Sequence, residues 1–546
     1  MPATHDVFNQ STPFENRNLY GIDAVLRDAV GAFDAGWAAP ELDALGASWG
    51  TTANHELARL ANEYGPVLRP FNRFGERVDE VLFHPAWHEL MRQLIGSGAH
   101  AQPWSEPRPG AQAARAAKCF LWSQLENGTQ CPTTMTFAVV PVIAKHETLA
   151  PLWMPKLLSR VYDPRPLPFD AKHGVLMGMG MTEKQGGSDL RANGTRADRV
   201  GVSAWGDEYR LTGHKWFFSA PQCDAHLVLA KIGGERLSCF FVPRLNPDGT
   251  RNSIRIERLK NKVGNRSNAS SEVELDAASG WLVGEAGRGV ATILEMGSLT
   301  RLDCSIGSAG LMRAALTHAL HHARERSAFG RRLVEQPLMR NVLADLALES
   351  EAATWLALRL ARCYDNDAGE REQLLCRVLT PVTKYWICKR APALCTEAME
   401  VLGGNGYVED APLGRYFRES PLNSIWEGSG NIMGLDLLRA ISRAPDVRDA
   451  LRDELQPARG AHAGYDRALD DALHWLAAPL DDESTARLRA EQLALLLQAS
   501  LLLRHAPGAV AGAFIAARLQ ASWRGSFGTL PAGIDTGALL ARALPD

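Results

Sequence analysis

The sequence lacks the features of a secreted, membrane-spanning or zinc-binding protein. Its nine cysteines form no C-x-x-C pair, so we expect neither a disulfide framework nor a zinc site, and a reducing compartment is favoured. The first ten residues, MPATHDVFNQ, contain no basic segment followed by an apolar one. The longest apolar stretch, 493–503, is far shorter than the roughly 20 residues that span a bilayer. The sequence therefore predicts a cytoplasmic protein without membrane association.

An excess of positive charge is also missing. The chain has 59 Lys and Arg against 62 Asp and Glu, which gives a formal net charge of −3. No overall basic field draws the protein to nucleic acid, so any anion-binding site must be local. His84 and His88 lie four residues apart, but Pro85 indicates a helix start and no third ligand is evident, so no metal site is predicted.

The order of helical and strand patterns indicates several domains. The 546 residues are 46% hydrophobic and 22% charged, which is ordinary for a globular protein. Apolar residues recur at helical spacing over 41–160, short β-branched and aromatic runs follow between 209 and 276, and long helical segments return from Gly287. A further helical block occupies 444–546. We therefore predict an α+β chain in the order helices, strands, helices and helical tail.

The segment M-G-M-G-M-T-E-K-Q-G-G-S-D, residues 177–189, gathers hydroxyls and glycines between a helical and a strand region. Exposed backbone N–H groups and hydroxyls suit the binding of anionic or acceptor groups. The segment does not follow the G-x-G-x-x-G pattern, so a Rossmann fold is not expected. On spacing alone, a turn that connects two domains is the favoured interpretation of the segment.

Two other segments could contact a ligand. In G-H-K-W-F-F-S, residues 213–219, adjacent aromatics on one strand point to opposite faces, so one can pack inward while the next covers a flat ring. Ordinary strand packing is the alternative. In I-W-E-G-S-G-N, residues 425–431, a carboxylate lies in a glycine-flanked turn and could serve as a base. That turn can also be a helix start with Ser429 or Asn431 as N-cap.

Together these segments resemble the acyl-CoA dehydrogenase family of flavoproteins. The resemblance covers residues 60–440 and rests on T-E-K-Q-G-G-S-D, G-H-K-W-F-F-S-A, R-S-A-F-G, G-G-N-G-Y and E-G-S, in that order. Within the family, the FNQ arm, K-W-F-F-S, G-N-R-S-N-A-S and N-S-I-W-E-G-S-G-N-I-M are similar to the AidB branch, which is associated with the adaptive response to DNA alkylation.

The resemblance implies a helical N-terminal domain, a middle antiparallel β-barrel, a C-terminal four-helix bundle and an extra helical domain. The expected boundaries are 1–40 for an arm, 41–178, 179–284, 285–443 and 444–546.

The family pattern also implies a role for each matching residue. Glu427 would be the catalytic base, with Arg301 beneath its loop. FAD would be held within one subunit or by its neighbour through Met181, Thr182, Gly187, Ser188, Trp216, Phe217, Ser219, Arg326, Phe329, Gly403, Gly404, Ile425, Trp426, Gly428, Ser429 and Asn431. Because Arg326, Phe329, Gly403 and Gly404 would meet a neighbour's FAD, we expect a homo-oligomer, with a tetramer as its state.

The chain departs from the family pattern at three positions. Ser298 replaces an Asp three residues before Arg301, Lys184 replaces a Pro, and Ala328 replaces a hydroxyl residue. The change at Ser298 predicts weak turnover of acyl-CoA substrates such as isovaleryl-CoA. The alternative function is that of a catabolic short- or branched-chain acyl-CoA dehydrogenase without a role on DNA.

The helical tail raises the question of DNA binding. From Ile441 to Asp546 it contains 11 Arg, no Lys and 13 acids, so binding to duplex DNA requires arginines gathered on one face. Leu488, Leu495 and Leu502 recur every seven residues and are expected to face the bundle. The predicted DNA contacts are Arg439, Arg443, Arg487 and Arg504. A packing domain with solvated charges is the alternative.

Overall fold

The computed structural model describes residues 4–234, 236–365, 367–478, 482–520 and 525–545. The chain forms two compact units, each assembled from separate stretches of sequence. The bundle unit comprises 1–55, 108–125 and 304–546, and the barrel unit comprises 56–107 and 126–303. Because the predicted domain of 41–178 contributes to both units, the boundaries drawn from the sequence remain predictions.

The helices, numbered in chain order, are α1 (Ala24–Ala32), α2 (Ala39–Trp49), α3 (Thr52–Glu63), α4 (Pro85–Gly96), α5 (Gln102–Ser105), α6 (Ala111–Ser123), α7 (Gln130–Ile143), α8 (Ala150–Leu157), α9 (Gly289–Glu325), α10 (Pro337–Cys363), α11 (Glu370–Val401), α12 (Leu413–Glu419), α13 (Gly430–Arg443), α14 (Pro445–Leu455), α15 (Ala463–Ala477), α16 (Ala486–His505), α17 (Gly508–Ile515) and α18 (Thr536–Ala543). Among the residues that the structure describes, none of these helices has the length and apolarity needed to cross a membrane.

The strands are β1 (Val67–Phe71), β2 (Arg77–Leu82), β3 (Met177–Gly180), β4 (Arg196–Ser203), β5 (Gly206–Ser219), β6 (Ala225–Ile232), β7 (Leu237–Pro243), β8 (Ile254–Leu259), β9 (Ser270–Val283), β10 (Ser327–Ala328) and β11 (Arg331–Arg332). The runs predicted as strands between 209 and 276 all lie in β5 to β9. The expectation of helices alone over 41–160 was wrong, because β1 and β2 form an antiparallel hairpin there. The helical pattern ends at Gly65 and Pro66, because a proline in the interior of a helix removes a backbone hydrogen bond and clashes with the preceding turn.

The predicted barrel is present, with mixed rather than purely antiparallel pairing. Neighbouring strands close a ring in the order β6, β4, β5, β9, β7 and back to β6, with β3 beside β6 and β8 beside β9. The β3–β6 and β4–β6 pairs are parallel. Two parallel strands must be joined by a long connection. The connection between the parallel strands β4 and β6 contains β5. Side chains from six strands, including Tyr209, Phe218, Val228 and Phe240, fill the interior.

The bundle unit is built around α10 and α11. Helix α10 packs against α6, α11, α16 and α18, and α11 packs against α13, α14 and α16. Cys388 of α11 contacts the Cys304 carbonyl and the Ser308 hydroxyl of α9. The predicted tail therefore belongs to the same unit as the bundle.

One expectation for the tail was wrong. Leu495 and Leu502 of α16 are buried, but Leu488 is 52% exposed. A seven-residue spacing drifts about 20° per heptad around a straight helix, and Leu488 lies in the first turn of α16.

Candidate functional site

In the barrel unit, the loop that follows β3 is fixed to neighbouring strands through its backbone. The Thr182 carbonyl accepts a hydrogen bond from the Trp216 amide at 2.9 Å. The Met181 carbonyl accepts one from Asn193 Nδ2 at 2.7 Å. Thr182 is partly exposed, while Gly187 and Ser188 are exposed. The loop therefore presents its hydroxyls and glycine backbone to the outside while its first residues are anchored.

A buried ion pair lies under this loop, and the sequence analysis did not predict it. Glu183 Oε1 lies 2.7 Å from Lys215 Nζ, and both side chains are fully buried. The same carboxylate accepts hydrogen bonds from the Thr195 hydroxyl at 2.6 Å and the Gly194 amide at 2.6 Å. Lys215 also donates to the Leu229 carbonyl at 2.8 Å. The available signal was a lysine directly before the three consecutive aromatic residues of β5.

Both members of this pair are charged near neutral pH. Burial opposes ionisation of Glu183, but Lys215 and the hydrogen bonds to the carboxylate outweigh it and lower its pKa to about 2. Burial lowers the pKa of Lys215 to about 8, against the opposing influence of Glu183. A buried pair with satisfied hydrogen bonds fixes the loop in one conformation, because breaking it leaves an uncompensated charge.

Beside the loop, β5 presents an aromatic surface. Its pairing with β9 shifts register between Lys215 and Phe218, so Trp216 and Phe217 fall in a bulge. Phe218 packs in the barrel core, whereas Phe217 is 53% exposed. Lys260 Nζ lies 3.3 Å from the centre of the Trp216 ring and 4.6 Å from that of Phe217. Ser219, partly exposed, ends the strand.

The glycines of β3 let Phe218 and His226 pack closely. A Cβ at Gly180 would lie 2.5 Å from the Phe218 ring, and one at Gly178 would lie 2.6 Å from His226. These two rings are 4.1 Å apart between centroids. The M-G-M-G sequence is therefore a packing requirement of the strand next to the candidate site.

In the bundle unit, Glu427 lies in a strained turn between the short helical turn at Leu422–Ser424 and α13. Its φ is +59° and that of Gly428 is +98°, a region that residues other than glycine rarely occupy. Buried Lys384 donates to the Trp426 carbonyl at 2.7 Å and to the Gly428 carbonyl at 2.6 Å. Lys384 thus holds the carbonyl groups of the residues before and after Glu427. Ile425 is exposed on the other side of Trp426.

Ser429 is the N-cap residue of α13, but its side chain forms no capping hydrogen bond. The interpretation of this turn as a helix start is therefore correct in position. Asn431 Oδ1 accepts a hydrogen bond from Arg487 Nε at 2.8 Å, which connects the start of α13 with the first turn of α16.

The residues predicted to meet a neighbouring subunit lie on exposed turns of the bundle unit. Phe329, at the tip of the β10–β11 hairpin, is fully exposed, with φ +52°. A Cβ at Gly403 or Gly404 would meet no atom within 4 Å. Arg326 donates to the Asn9 carbonyl, and the Asn9 side chain accepts from and donates to the Ser327 backbone at 2.8 and 2.9 Å.

Arg301 and Ser298 lie on the part of α9 that belongs to the barrel unit. Ser298 Oγ donates to the Leu294 carbonyl at 3.1 Å, which satisfies the hydroxyl within its own helix. Arg301 is partly buried.

The four predicted DNA contacts differ in their environments. Arg443 is exposed at the end of α13, and Arg439, one turn before it, pairs with Asp436 at 3.3 Å. Arg504 forms an ion pair of 2.8 Å with buried Glu454, which also pairs with Arg359. Because Glu454 compensates the charge of Arg504 within the unit, Arg504 is a weaker candidate for a phosphate contact.

No group of three or more metal-ligating side chains occurs among the residues that the structure describes. His84 caps α4 by accepting from the Ala86 amide at 3.2 Å, and His88 Nδ1 lies 2.9 Å from the Tyr162 hydroxyl.

Comparisons with known proteins identify the family. Residues 9–164 match the N-terminal domain of the adaptive response protein AidB. Residues 178–278 match the middle domain of acyl-CoA dehydrogenases, and 287–442 match their C-terminal domain. The chain is 49% identical to the AidB protein of Escherichia coli (strain K12) over 514 residues, which cover 94% of each chain. The chain belongs to the AidB branch of the acyl-CoA dehydrogenase family. The predicted family is thereby confirmed.

A further curated relative and two solved structures are similar to this chain. The chain is 31% identical to acyl-CoA dehydrogenase family member 11 of Caenorhabditis elegans, over 73% of this chain and 66% of that protein. The crystal structure of C. elegans ACDH-11 in complex with C11-CoA gives a TM-score of 0.85 at 28% identity, covering 94% of this chain and 92% of that one. The apo form of Bd2924 gives 0.82 at 28% identity, covering 92% and 100%. The predicted fold class is confirmed.

FAD is the cofactor of the acyl-CoA dehydrogenase family, as predicted, and the enzyme class is oxidoreductase. The acyl-CoA dehydrogenase of Bacillus anthracis was solved with FAD, and its fold gives a TM-score of 0.63 at 17% identity over 84% of this chain and 79% of that one. The barrel unit fits this cofactor, because the half-exposed Phe217 ring follows Trp216, whose amide is bonded to the Thr182 carbonyl of the hydroxyl- and glycine-rich loop. An exposed aromatic ring can stack on a planar ring system.

Proposed function

We propose that this chain is an FAD-dependent acyl-CoA dehydrogenase with low turnover on short branched substrates such as isovaleryl-CoA, and that it binds double-stranded DNA in the response to alkylation damage. The dehydrogenase proposal rests on the exposed Phe217 ring beside the anchored loop of Thr182 and Ser188. Trp216 and Ser219 complete this flavin-binding surface.

Within this proposal the protein residues position the cofactor and move one proton. Glu427 accepts the α-proton of the thioester, and its turn is held by Lys384 on both sides. Bound FAD supplies the hydride acceptor that no side chain can provide. Arg301 supports the substrate side from α9, where Ser298 replaces a carboxylate. Low turnover follows, because Ser298 satisfies its hydroxyl within the helix and presents no negative charge.

The Glu427→Gln variant tests this mechanism. An amide of nearly the same shape cannot accept the proton, so dehydrogenation of isovaleryl-CoA should fall by about 10²–10⁴-fold while the flavin absorbance stays. Glu400→Gln, a change of the same kind at an exposed helix position, should leave turnover intact. Equal turnover by the Glu427→Gln and parent proteins would move the base elsewhere.

The proposal of DNA binding rests on a separate observation. Arg439 and Arg443 lie one turn apart on α13. Arg487, which belongs to α16, lies beside Asn431 at the start of α13. Arginines along one helix can contact successive phosphates. Arg504 is left out, because Glu454 compensates it.

Point variants test DNA binding better than removal of the tail, since α16 and α18 pack against α10. Arg439→Gln with Arg443→Gln should weaken duplex binding and reduce the salt slope by about one for each lost phosphate contact. Arg467→Gln removes an exposed arginine of α15 and is the matched control. Duplex affinity unchanged by the double variant would favour a catabolic acyl-CoA dehydrogenase without a DNA role.

We also propose a cytoplasmic homotetramer in which Arg326, Phe329, Gly403 and Gly404 complete the FAD site of a neighbour. Phe329, with its ring fully in solvent, supports this arrangement. Phe329→Ser should then lower FAD affinity without lowering the thermal stability of the isolated subunit. A light-scattering mass of one subunit with full FAD affinity would contradict the proposal.

A further inference from the structure

Asn9, in the F-N-Q segment of the N-terminal arm, contacts the short hairpin formed by β10 and β11. Arm and hairpin both belong to the bundle unit. Each strand of the hairpin has two residues, and an isolated two-stranded hairpin is marginally stable at best in water. Arg326 lies at the base of the hairpin and Phe329 at its tip. Whatever supports the hairpin therefore also fixes the places of these two side chains.

The side chain of Asn9 occupies the free edge of β10. Its Nδ2 donates to the Ser327 carbonyl at 2.9 Å, and its Oδ1 accepts from the Ser327 amide at 2.8 Å. A side-chain amide has the donor and the acceptor of a peptide group, and paired residues of neighbouring antiparallel strands exchange both bonds in the same way. Asn9 therefore does for β10, with one residue, what a third strand would do.

The backbone of Asn9 orients Arg326 as well. Arg326 donates to the Asn9 carbonyl, and in the described part of the chain it forms no ion pair. A carbonyl group orients a guanidinium without cancelling its charge, so the positive charge of Arg326 stays available to an anion. The planar fork of a guanidinium matches the oxygens of a phosphate.

Asn9 reaches this position through a left-handed backbone and an anchored neighbouring segment. Its φ is +54°, in a region where asparagine is several-fold enriched over most residues that carry a side chain. Ser11 Oγ lies 2.8 Å from His322 Nδ1, and the Thr12 amide donates to Glu325 Oε2 at 2.6 Å. The arm is thus fastened to the end of α9 directly after Asn9.

We propose that Asn9 is a positioning residue of the FAD site, which sets the guanidinium of Arg326 for the phosphates of FAD. The inference rests on the proposed function, in which Arg326 completes an FAD site. Asn9 acts through its carbonyl and through the Ser327 backbone, not by contact with the cofactor. The N-terminal region that matches AidB, residues 9–164, thereby takes part in binding the flavin.

Asn9→Ala tests the proposal in the full-length protein, stripped of flavin and titrated with FAD or with riboflavin. The change removes both bonds to Ser327 and strains the left-handed backbone, so the affinity for FAD should fall by about tenfold. The affinity for riboflavin, which has no phosphate, should keep its parental value. A general loss of structure would lower both affinities and would overturn the proposal.

Arg326→Gln shows whether Asn9 acts through this arginine. The variant should lose at least as much FAD affinity, and Asn9→Ala should add no further loss to it, because residues that act as one unit are not additive. Additive losses would overturn the positioning role, and so would parental FAD affinity in Asn9→Ala beside a loss in Arg326→Gln. Parental FAD affinity in Arg326→Gln would overturn the proposed role of Arg326 itself, and the positioning with it.

Asn16→Ala is the matched control. Asn16 also has a left-handed backbone, with φ +56°. Its Nδ2 donates to the Thr52 hydroxyl at 2.9 Å, and its Oδ1 accepts from the Thr52 amide at 3.1 Å. Thermal stability should fall about as much in Asn16→Ala as in Asn9→Ala, while the affinity for FAD stays unchanged. Equal loss of FAD affinity in both variants would assign the effect to a loosened arm and overturn the proposal.

Discussion

Each unit places a buried lysine under a candidate functional segment, but the two charges are compensated differently. In the barrel unit, Lys215 meets the carboxylate of Glu183 below the loop. In the bundle unit, Lys384 meets the carbonyl groups on either side of Glu427. The loop therefore depends on a charge pair, whereas the turn depends on dipoles. A lost charge partner costs more than a lost hydrogen bond, so the two segments should differ in tolerance to substitution.

The largest effect is expected in the barrel unit. Glu183→Gln leaves Lys215 buried without a counter-charge, so the free energy of unfolding should fall by about 3–5 kcal/mol and FAD should be lost. Combining it with Lys215→Met removes the unpaired charge and should recover part of the stability. Urea denaturation of both variants measures this. Full stability of Glu183→Gln alone would show that the charge pair is not required.

A smaller effect is expected in the bundle unit. Lys384→Met removes two hydrogen bonds from the Trp426 and Gly428 carbonyls, so stability should fall by about 1.5–3 kcal/mol. Flavin binding by the barrel unit should persist while turnover falls, since the turn that carries Glu427 is released. Lys389→Met, at an exposed position on the same helix, is the control. If both variants behave alike, Lys384 does not hold the turn.

The glycines extend the comparison between the units. Gly180→Ala introduces a Cβ at 2.5 Å from the Phe218 ring, and such overpacking should cost about 1–3 kcal/mol. Gly404→Ala meets no atom within 4 Å and should leave the subunit as stable as before. Melting temperatures of both variants, measured at the same flavin saturation, distinguish packing glycines from exposed ones.

Acid should affect both units through two histidines. Burial lowers the pKa of His226, in the barrel, and of His318, in the bundle, to about 3. The unfolded chain binds protons at these sites below pH 6.5, while the folded chain does not. The contribution of these two sites to stability is therefore fully present above pH 6.5. As the pH falls from 6.5 to about 3, each histidine lowers the free energy of unfolding by about 1.4 kcal/mol per pH unit. His318→Phe should reduce this slope, as urea midpoints at pH 7, 5 and 4 would reveal.

The sequence predicted the strands β5 to β9 because their runs are rich in β-branched and aromatic residues bounded by turn residues. It missed β3, whose two glycines are typical of a loop until the rings of Phe218 and His226 are placed beside them. Alternation along β5 predicted that adjacent aromatics differ in burial, as buried Phe218 and exposed Phe217 do, but it did not predict the bulge at Trp216 and Phe217.

The contacts that hold the candidate site join residues far apart in the chain. Glu183 and Lys215 are 32 positions apart, and Lys384 and Trp426 are 42 apart. Asn9 and Ser327 are separated by 318 positions. Periodicity reports only on neighbours within an element, so it could suggest Glu427 and Phe217 but not the lysines that fix their surroundings.

The segments of the two units alternate along the sequence, and this alternation sets the order in which the chain can fold during synthesis. Arg313 of α9 donates to the Ala543 carbonyl at 2.5 Å, and Arg542 of α18 pairs with Asp28 of α1 at 2.8 Å. The bundle unit thus closes only after its most distant segments have both left the ribosome, whereas all strands of the barrel have emerged by residue 283. Since domains fold as their segments emerge, α1 and α6 must wait for partners made more than 200 residues later, and chaperones have that interval in which to bind them.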